Sequence, residues 1–100
     1  MDRSTILERS ERTALRFGAL ADPARLAIVD RLRAGTRCVC DLRDDLGLAS
    51  NLLSYHLRIL RRAGLVRGTR RGRRVEYRLV ADALEAVRRD FEALTPAATT

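Results

Sequence analysis

One hundred residues, 46% hydrophobic and 33% charged, describe one folded domain with a small core and exclude a disordered tail. No apolar run approaches the roughly 20 residues a membrane span needs. The opening Met1-Asp2-Arg3-Ser4 has no signal-peptide apolar core, so a cytoplasmic location with reduced cysteines is expected.

Residues 5–21 read as a first helix: Leu7, Ala14, Phe17 and Ala21 recur at helical spacing, with Glu8, Arg9, Glu11, Arg12 and Arg16 on the other face. Asp22-Pro23 ends it and starts a second helix over about 23–34, Asp22 as N-cap and Pro23 in the first helical position. Leu26, Val29 and Leu32, or their neighbour Ile28, are its core candidates, and Gly35 closes it. A short third helix spans about 39–46 with Leu42 and Leu46 inward. Gly47-Leu48-Ala49 is a tight turn, and a fourth helix follows over 50–63, stopped by Gly64. On that helix Leu53, Leu57 and Leu60 form one stripe, flanked by Leu52, His56 and Ala63; Asn51, Ser54, Tyr55, Arg58, Arg61 and Arg62 take the opposite face.

Residues 65–80 read as a hairpin. Leu65-Val66 and residues 75–79 have strand character, with Val75, Tyr77 and Leu79 alternating inward around a glycine-bearing turn at 67–74 that holds five arginines. A last helix over 82–94 carries Leu84, Val87, Phe91 and Leu94 on one stripe, with Asp82 as N-cap and Glu85 three residues on. Residues 1–95 thus make one domain and residues 96–100 a flexible tail. The order is mainly α with a small β-hairpin, that of a winged helix-turn-helix.

Charge is concentrated on this unit. Residues 50–78 hold nine arginines and one acid, Glu76, so the window carries +8, whereas the chain as a whole is +7. Basic runs are commonly just solvated faces; here the charge sits on one supersecondary unit of the right order, which favours nucleic acid. Ser50, Asn51, Ser54 and Tyr55 stand at the leading end of the fourth helix, where small hydrogen-bonding groups read base edges. Arg58, Arg62, Arg71, Arg73 and Arg74 are placed for phosphates or the minor groove. The first and last helices have apolar stripes that a core this small does not fill, so Leu7, Ala14, Phe17, Leu84, Val87 and Phe91 are expected to form a homodimer interface. The alternative is that both stripes cover their own core.

Both cysteines lie two residues apart, at Cys38 and Cys40. In a regular helix they would point about 200° apart. At a frayed helix start or in an extended turn the sulfurs converge and could hold a thiophilic ion, which would keep the start of the third helix open. The plain alternative is a pair of small semi-buried residues, and a disulfide is not expected in a reducing cytosol. His56 reads as a hydrogen-bonded core residue; a ligand role would require it to lie near Cys38 or Cys40. There is no Ser-His-Asp set and no phosphate-cradling glycine loop, so an enzyme is not expected.

The chain resembles the ArsR/SmtB family of bacterial winged-helix metalloregulatory repressors from about Leu15 to Leu94. The resemblance rests on Ala21-Asp22-Pro23-Ala24-Arg25-Leu26, Cys38-Val39-Cys40-Asp41-Leu42, the run from Ser54 to Val66, and the run from Arg71 to Tyr77. It implies a homodimer that occupies double-stranded operator DNA and leaves when a metal or metalloid binds, with no ion required for folding. Carried over, Cys38 and Cys40 become ligand thiolates for trivalent arsenic (arsenite) or antimonite, with cadmium, lead and zinc as other candidates. A thiol redox-sensing repressor of the same fold, or a basic adaptor with inert cysteines, are the competing readings. The chain departs from the arsenite pattern in having Arg43 where a third cysteine often stands. Its N-terminal segment adds no cysteines of the cadmium and lead type. Its last helix offers Asp82, Glu85, Asp90 and Glu92 but no histidine, which disfavours a zinc site there.

Overall fold

The structure is a computed structural model and describes residues 2–97; residues 98–100 of the expected tail lie outside the described residues. Its elements are α1 (Arg3–Leu20), α2 (Pro23–Leu32), β1 (Arg37–Cys38), α3 (Val39–Leu46), α4 (Ser50–Arg62), β2 (Val66–Arg71), β3 (Arg74–Leu79) and α5 (Ala81–Leu94). The strands form one antiparallel sheet in the order β1-β3-β2. This is the mainly helical, winged helix-turn-helix class expected.

Local chemistry sets most of the boundaries. Asp22 caps α2: one carboxylate oxygen accepts from the N–H of Ala24 at 2.8 Å and of Arg25 at 3.3 Å, with Pro23 next in line. At the far end of α4, Gly64 adopts φ +76°. Leu65 N–H then reaches back to the Leu60 carbonyl at 3.0 Å and Gly64 N–H to that of Arg61 at 2.9 Å, closing the helix with a Schellman pair. This turns the chain directly into the wing.

The core lies where α2, α3 and α4 meet the base of the hairpin. Ile28, Leu42, Leu53, Leu60 and Leu65 are fully buried, and Leu32, Leu57, Val66 and Tyr77 join them. Two of the sequence's core candidates are outside it: Leu26 is 53% exposed and Leu52 is 43% exposed. Each stands at the edge of its helical stripe, and Ile28 and Leu53 take the central positions instead.

Three further differences matter for the site. The strands run further up the hairpin than the arginine-rich sequence suggests: Val66 pairs with Leu79 and pairing continues to Arg71 opposite Arg74, so the loop shrinks to Gly72-Arg73. Backbone pairing there needs no apolar alternation, which is why the sequence reads as a turn. α5 starts one residue early, with Val80 at the N-cap and no side-chain cap; Val80 N–H is already held by the Leu65 carbonyl at 2.9 Å, so Asp82 sits inside the first turn and Glu85 pairs with Arg88 instead. Finally, β1 adds a third strand, with Arg37 opposite Tyr77 and Cys38 opposite Glu76.

One close approach fixes the wing. Gly68 lies opposite Tyr77, and a methyl group on its Cα would stand 2.9 Å from the Tyr77 ring. The ring therefore lies flat across a backbone that only glycine leaves open, and its hydroxyl accepts from Arg61 on α4 at 3.4 Å.

Candidate nucleic-acid interface and cysteine site

α4 is strongly two-faced. Leu53, His56, Leu57 and Leu60 are buried, while Ser50, Asn51, Ser54, Tyr55, Arg58, Arg61 and Arg62 are exposed. The leading turn is thus short and polar, and Arg43 on α3 donates to Ser50 Oγ at 3.4 Å. Arg58, Arg62, Arg73 and Arg74 have no hydrogen-bonding or ion-pair partner among the described side chains. Arg71 differs: it pairs with Glu76 at 3.0 Å, so a phosphate would have to compete for it. Free, solvated guanidinium groups are well suited to phosphate contacts, since no internal bond has to break.

His56 is held from behind. Arg25 on α2 donates to His56 Nδ1 at 3.0 Å; a guanidinium has no acceptor, so that nitrogen carries no proton. The same arginine donates through Nε to the Ala19 carbonyl at 2.7 Å, and Asp22 lies 4.0 Å from the imidazole. His56 is a buried, hydrogen-bonded residue on the inner face of α4. Arg25, to which the sequence assigned no individual role, ties the end of α1 to α4 through it.

The cysteine pair is joined by a disulfide, with Cα atoms 5.3 Å apart. That corrects the expectation of free thiols, and the reason is local. Cys38 is the N-cap of α3, with extended backbone (φ −74°, ψ 155°), so the helical 200° divergence does not apply. Its Sγ accepts the Asp41 N–H at 3.2 Å. The two sulfurs and a carboxylate oxygen of Asp41 lie within 4.8 Å of one another, Cys38 buried and Cys40 and Asp41 exposed. The sulfurs therefore meet without unwinding α3, and holding the helix start open is not needed for them to converge. His56 is not part of this group.

What stands around the pair is set by the tertiary fold. Cys38 and Cys40 line a cleft of about 600 Å³ together with Ser54 and Arg58 of α4 and Arg73 and Arg74 of the wing; Arg43 and Arg61 add two further cations, and Leu57, Val75 and Tyr77 contribute apolar wall. The link is β1, whose pairing with β3 sets the start of α3 against the wing. Arg61 follows Arg58 at i+3, a spacing that could have placed it here.

On the opposite side, Arg16 of α1 clamps Asp90 of α5 at 2.6 Å. Glu85 and Glu92 are taken by Arg88, at 2.6 and 2.8 Å. Leu84 and Val87 are half-buried against the chain's own core, whereas Leu7 is 56% and Phe91 66% exposed, Ala14 is exposed and Phe17 is half-buried. Phe17, Leu20, Val87 and Phe91 line an apolar hollow of about 630 Å³. The radius of gyration is 15.7 Å, above the ~13 Å of a compact chain of this length. No helix among the described residues is long and apolar enough to cross a membrane.

A capped supporting helix, a turn, a two-faced helix with arginines outward and a basic β-wing define the winged helix-turn-helix class. The sequence model "Bacterial regulatory protein, arsR family" matches residues 22–67. The HTH-type transcriptional repressor SmtB of Mycobacterium tuberculosis is 54% identical over 61 residues, covering 61% of this chain and 45% of the relative. The arsenical resistance operon repressor of Escherichia coli is 44% identical over 64 residues, covering 63% and 55%. A crystal structure described as a "Possible transcriptional regulator for arsenical resistance" superposes with a TM-score of 0.74 at 32% identity, over 78% of this chain and 81% of that one. The chain belongs to the ArsR family of transcriptional regulators, and its relatives are regulators, not enzymes. It spans about half the length of the curated relatives it matches, 45% of one and 55% of the other.

Proposed function

We propose that this chain is a cytoplasmic, homodimeric repressor that binds double-stranded operator DNA through α4 and the wing and is released when a trivalent arsenical or antimonite binds the reduced Cys38/Cys40 pair. The observation that carries it is the outer face of α4, where Ser50, Asn51, Ser54 and Tyr55 precede Arg58 and Arg62, continuous with unpaired Arg73 and Arg74 on the wing. The first four read base edges and the arginines hold phosphates, Arg71 joining them if it leaves Glu76.

The donor set fits the effector. Once reduced, two adjacent thiolates chelate a soft trivalent centre, and Asp41 or a solvent oxygen completes three ligands; cadmium, lead and zinc prefer a fuller set. Such an ion would supply only soft-ligand bonding. The chain's own part is to carry the consequence: Cys38 belongs to β1, so a changed cysteine geometry pulls on β3 and the wing as well as on α3. A hundredfold loss of operator affinity requires about 2.7 kcal/mol of coupling. The test is operator binding with and without arsenite for the reduced parent, Cys38→Ser and Cys40→Ser. Both variants should bind DNA normally and stay bound with arsenite; release of either one, as in the parent, sinks the dithiol switch.

The disulfide favours a second reading, in which oxidation of the same pair is the signal. Peroxide releasing the parent but neither variant, with arsenite inert, would select it.

A further inference from the structure

We propose that the Cys38–Cys40 disulfide is a reaction site for small anionic thiols, which the arginine cleft collects and delivers to the sulfur of Cys40. This goes beyond the reading above, because it concerns how the pair is reopened and needs no DNA to be tested.

The two sulfurs are not equivalent. Cys38 is 2% exposed and Cys40 is exposed, so an incoming nucleophile reaches Cys40. The Cys38 sulfur already receives the Asp41 N–H at 3.2 Å at the start of α3, an arrangement that stabilises the negative charge it acquires on leaving. In the first step a thiolate forms a bond to Cys40 Sγ while the Cys40–Cys38 bond breaks, and the electron pair goes to Cys38 as thiolate. In the second step another thiolate attacks the thiol's own sulfur in the mixed disulfide. It releases the small-molecule disulfide and leaves Cys40 as thiolate. Two thiols are oxidised and one protein disulfide is reduced.

The surroundings select the reagent. Arg43, Arg58, Arg61, Arg73 and Arg74 line the cleft, and Arg58, Arg73 and Arg74 are unpartnered among the described side chains. Asp41 is the opposing acid beside the sulfurs. A cleft of about 600 Å³ holds a molecule of small-peptide size. The class it fits is a low-molecular-weight thiol bearing carboxylate or sulfonate groups.

The experiment compares disulfide opening in the whole chain by 2-mercaptoethanesulfonate (anionic), 2-mercaptoethanol (neutral) and cysteamine (cationic). Rates are expressed per thiolate and corrected for thiol basicity. At low salt the anionic thiol should be on the order of tenfold faster than the neutral one and the cationic thiol slowest. The order should level out near 1 M salt, where the Debye length is about 3 Å. In Arg73→Ala/Arg74→Ala the anionic rate should fall toward the neutral one. Quenching with acid and alkylating the freed thiol should place the small-molecule adduct on Cys40 and the alkyl group on Cys38 within the peptide 38–43. Equal rates for the three thiols, or the adduct on Cys38, would overturn the proposal.

Discussion

Replacing Phe91 with glutamate separates the stability of one chain from that of the pair. Phe91 is 66% exposed, so of the 150–250 Å² a phenylalanine typically buries, roughly 130 Å² remains for a partner. At about 25 cal/mol per Å² that surface contributes about 3 kcal/mol, and a two-fold interface uses it twice, for about 6 kcal/mol as an upper value. A buried unpaired carboxylate adds to the loss. With 1.4 kcal/mol per tenfold, the dimer dissociation constant should rise by two to four orders of magnitude. Sedimentation equilibrium over a concentration series measures it, and far-ultraviolet circular dichroism should show the helical fold retained, because an exposed residue contributes little to its own chain. Operator affinity should fall with the dimer, since two half-sites need two linked reading helices. A dimer that persists with both Phe17→Glu and Phe91→Glu in place would refute the assignment of α1 and α5 to the interface.

Arg73→Ala should weaken binding to all DNA sequences alike and flatten the dependence of log affinity on log salt by about one unit per lost contact per protomer, whereas Asn51→Ala should cost roughly 1–3 kcal/mol at one operator position per half-site. Gly68→Ala should destabilise the fold by about 1–3 kcal/mol in urea titrations, because the added methyl meets the Tyr77 ring at 2.9 Å; an unchanged midpoint would mean the ring swings away freely. Asp22 gives a pH signature. Desolvation raises its carboxyl, but the N–H groups of Arg25 and Ala24 and the nearby charge of Arg25 outweigh this and hold it below the ordinary carboxylate range. A folded-state pKa below the unfolded one means its contribution is complete above the unfolded value and is lost as pH falls through the folded one. Asp22→Asn should therefore flatten the acid limb of the stability curve while leaving its slope near neutrality alone.

The helix-turn-helix was legible because its signals are local. Asp22-Pro23 specifies a cap whatever surrounds it, Gly64 marks a left-handed stop, and the Leu53, Leu57, Leu60 spacing fixes which face of α4 is buried. The fate of Leu26 and Leu52 was not, because periodicity places a residue on a stripe without saying whether a neighbour covers the edge. The wing strands hid behind Arg67, Arg70 and Arg71, whose pairing is carried by backbone groups that leave no trace in hydropathy. The cysteine site depended on a single backbone angle at Cys38 and on β1, two residues long, whose partner lies 38 positions further on at Glu76. Its arginine surroundings are a product of that pairing. Arg25 was invisible for a related reason: on the sequence it is one arginine among twenty, and only the fold brings it to His56.

That arginine has a mechanical consequence. Its guanidinium grips the Ala19 carbonyl at the end of α1 with one nitrogen and the imidazole on α4 with another. In the dimer proposed above, α1 belongs to the symmetry axis and α4 to the groove, so this planar group is a polar strut between axis and reading head, added to the direct packing of α1 on α4. Half-sites one turn of DNA apart put each head about 17 Å from the axis, and a tilt of about 5° at that radius moves it by about 1.5 Å. Half the length of a hydrogen bond is enough to lose register with a base edge. Under that proposal, the operator spacing this protein tolerates depends in part on the stiffness of a side chain that lies on neither the outer face of α4 nor the wing.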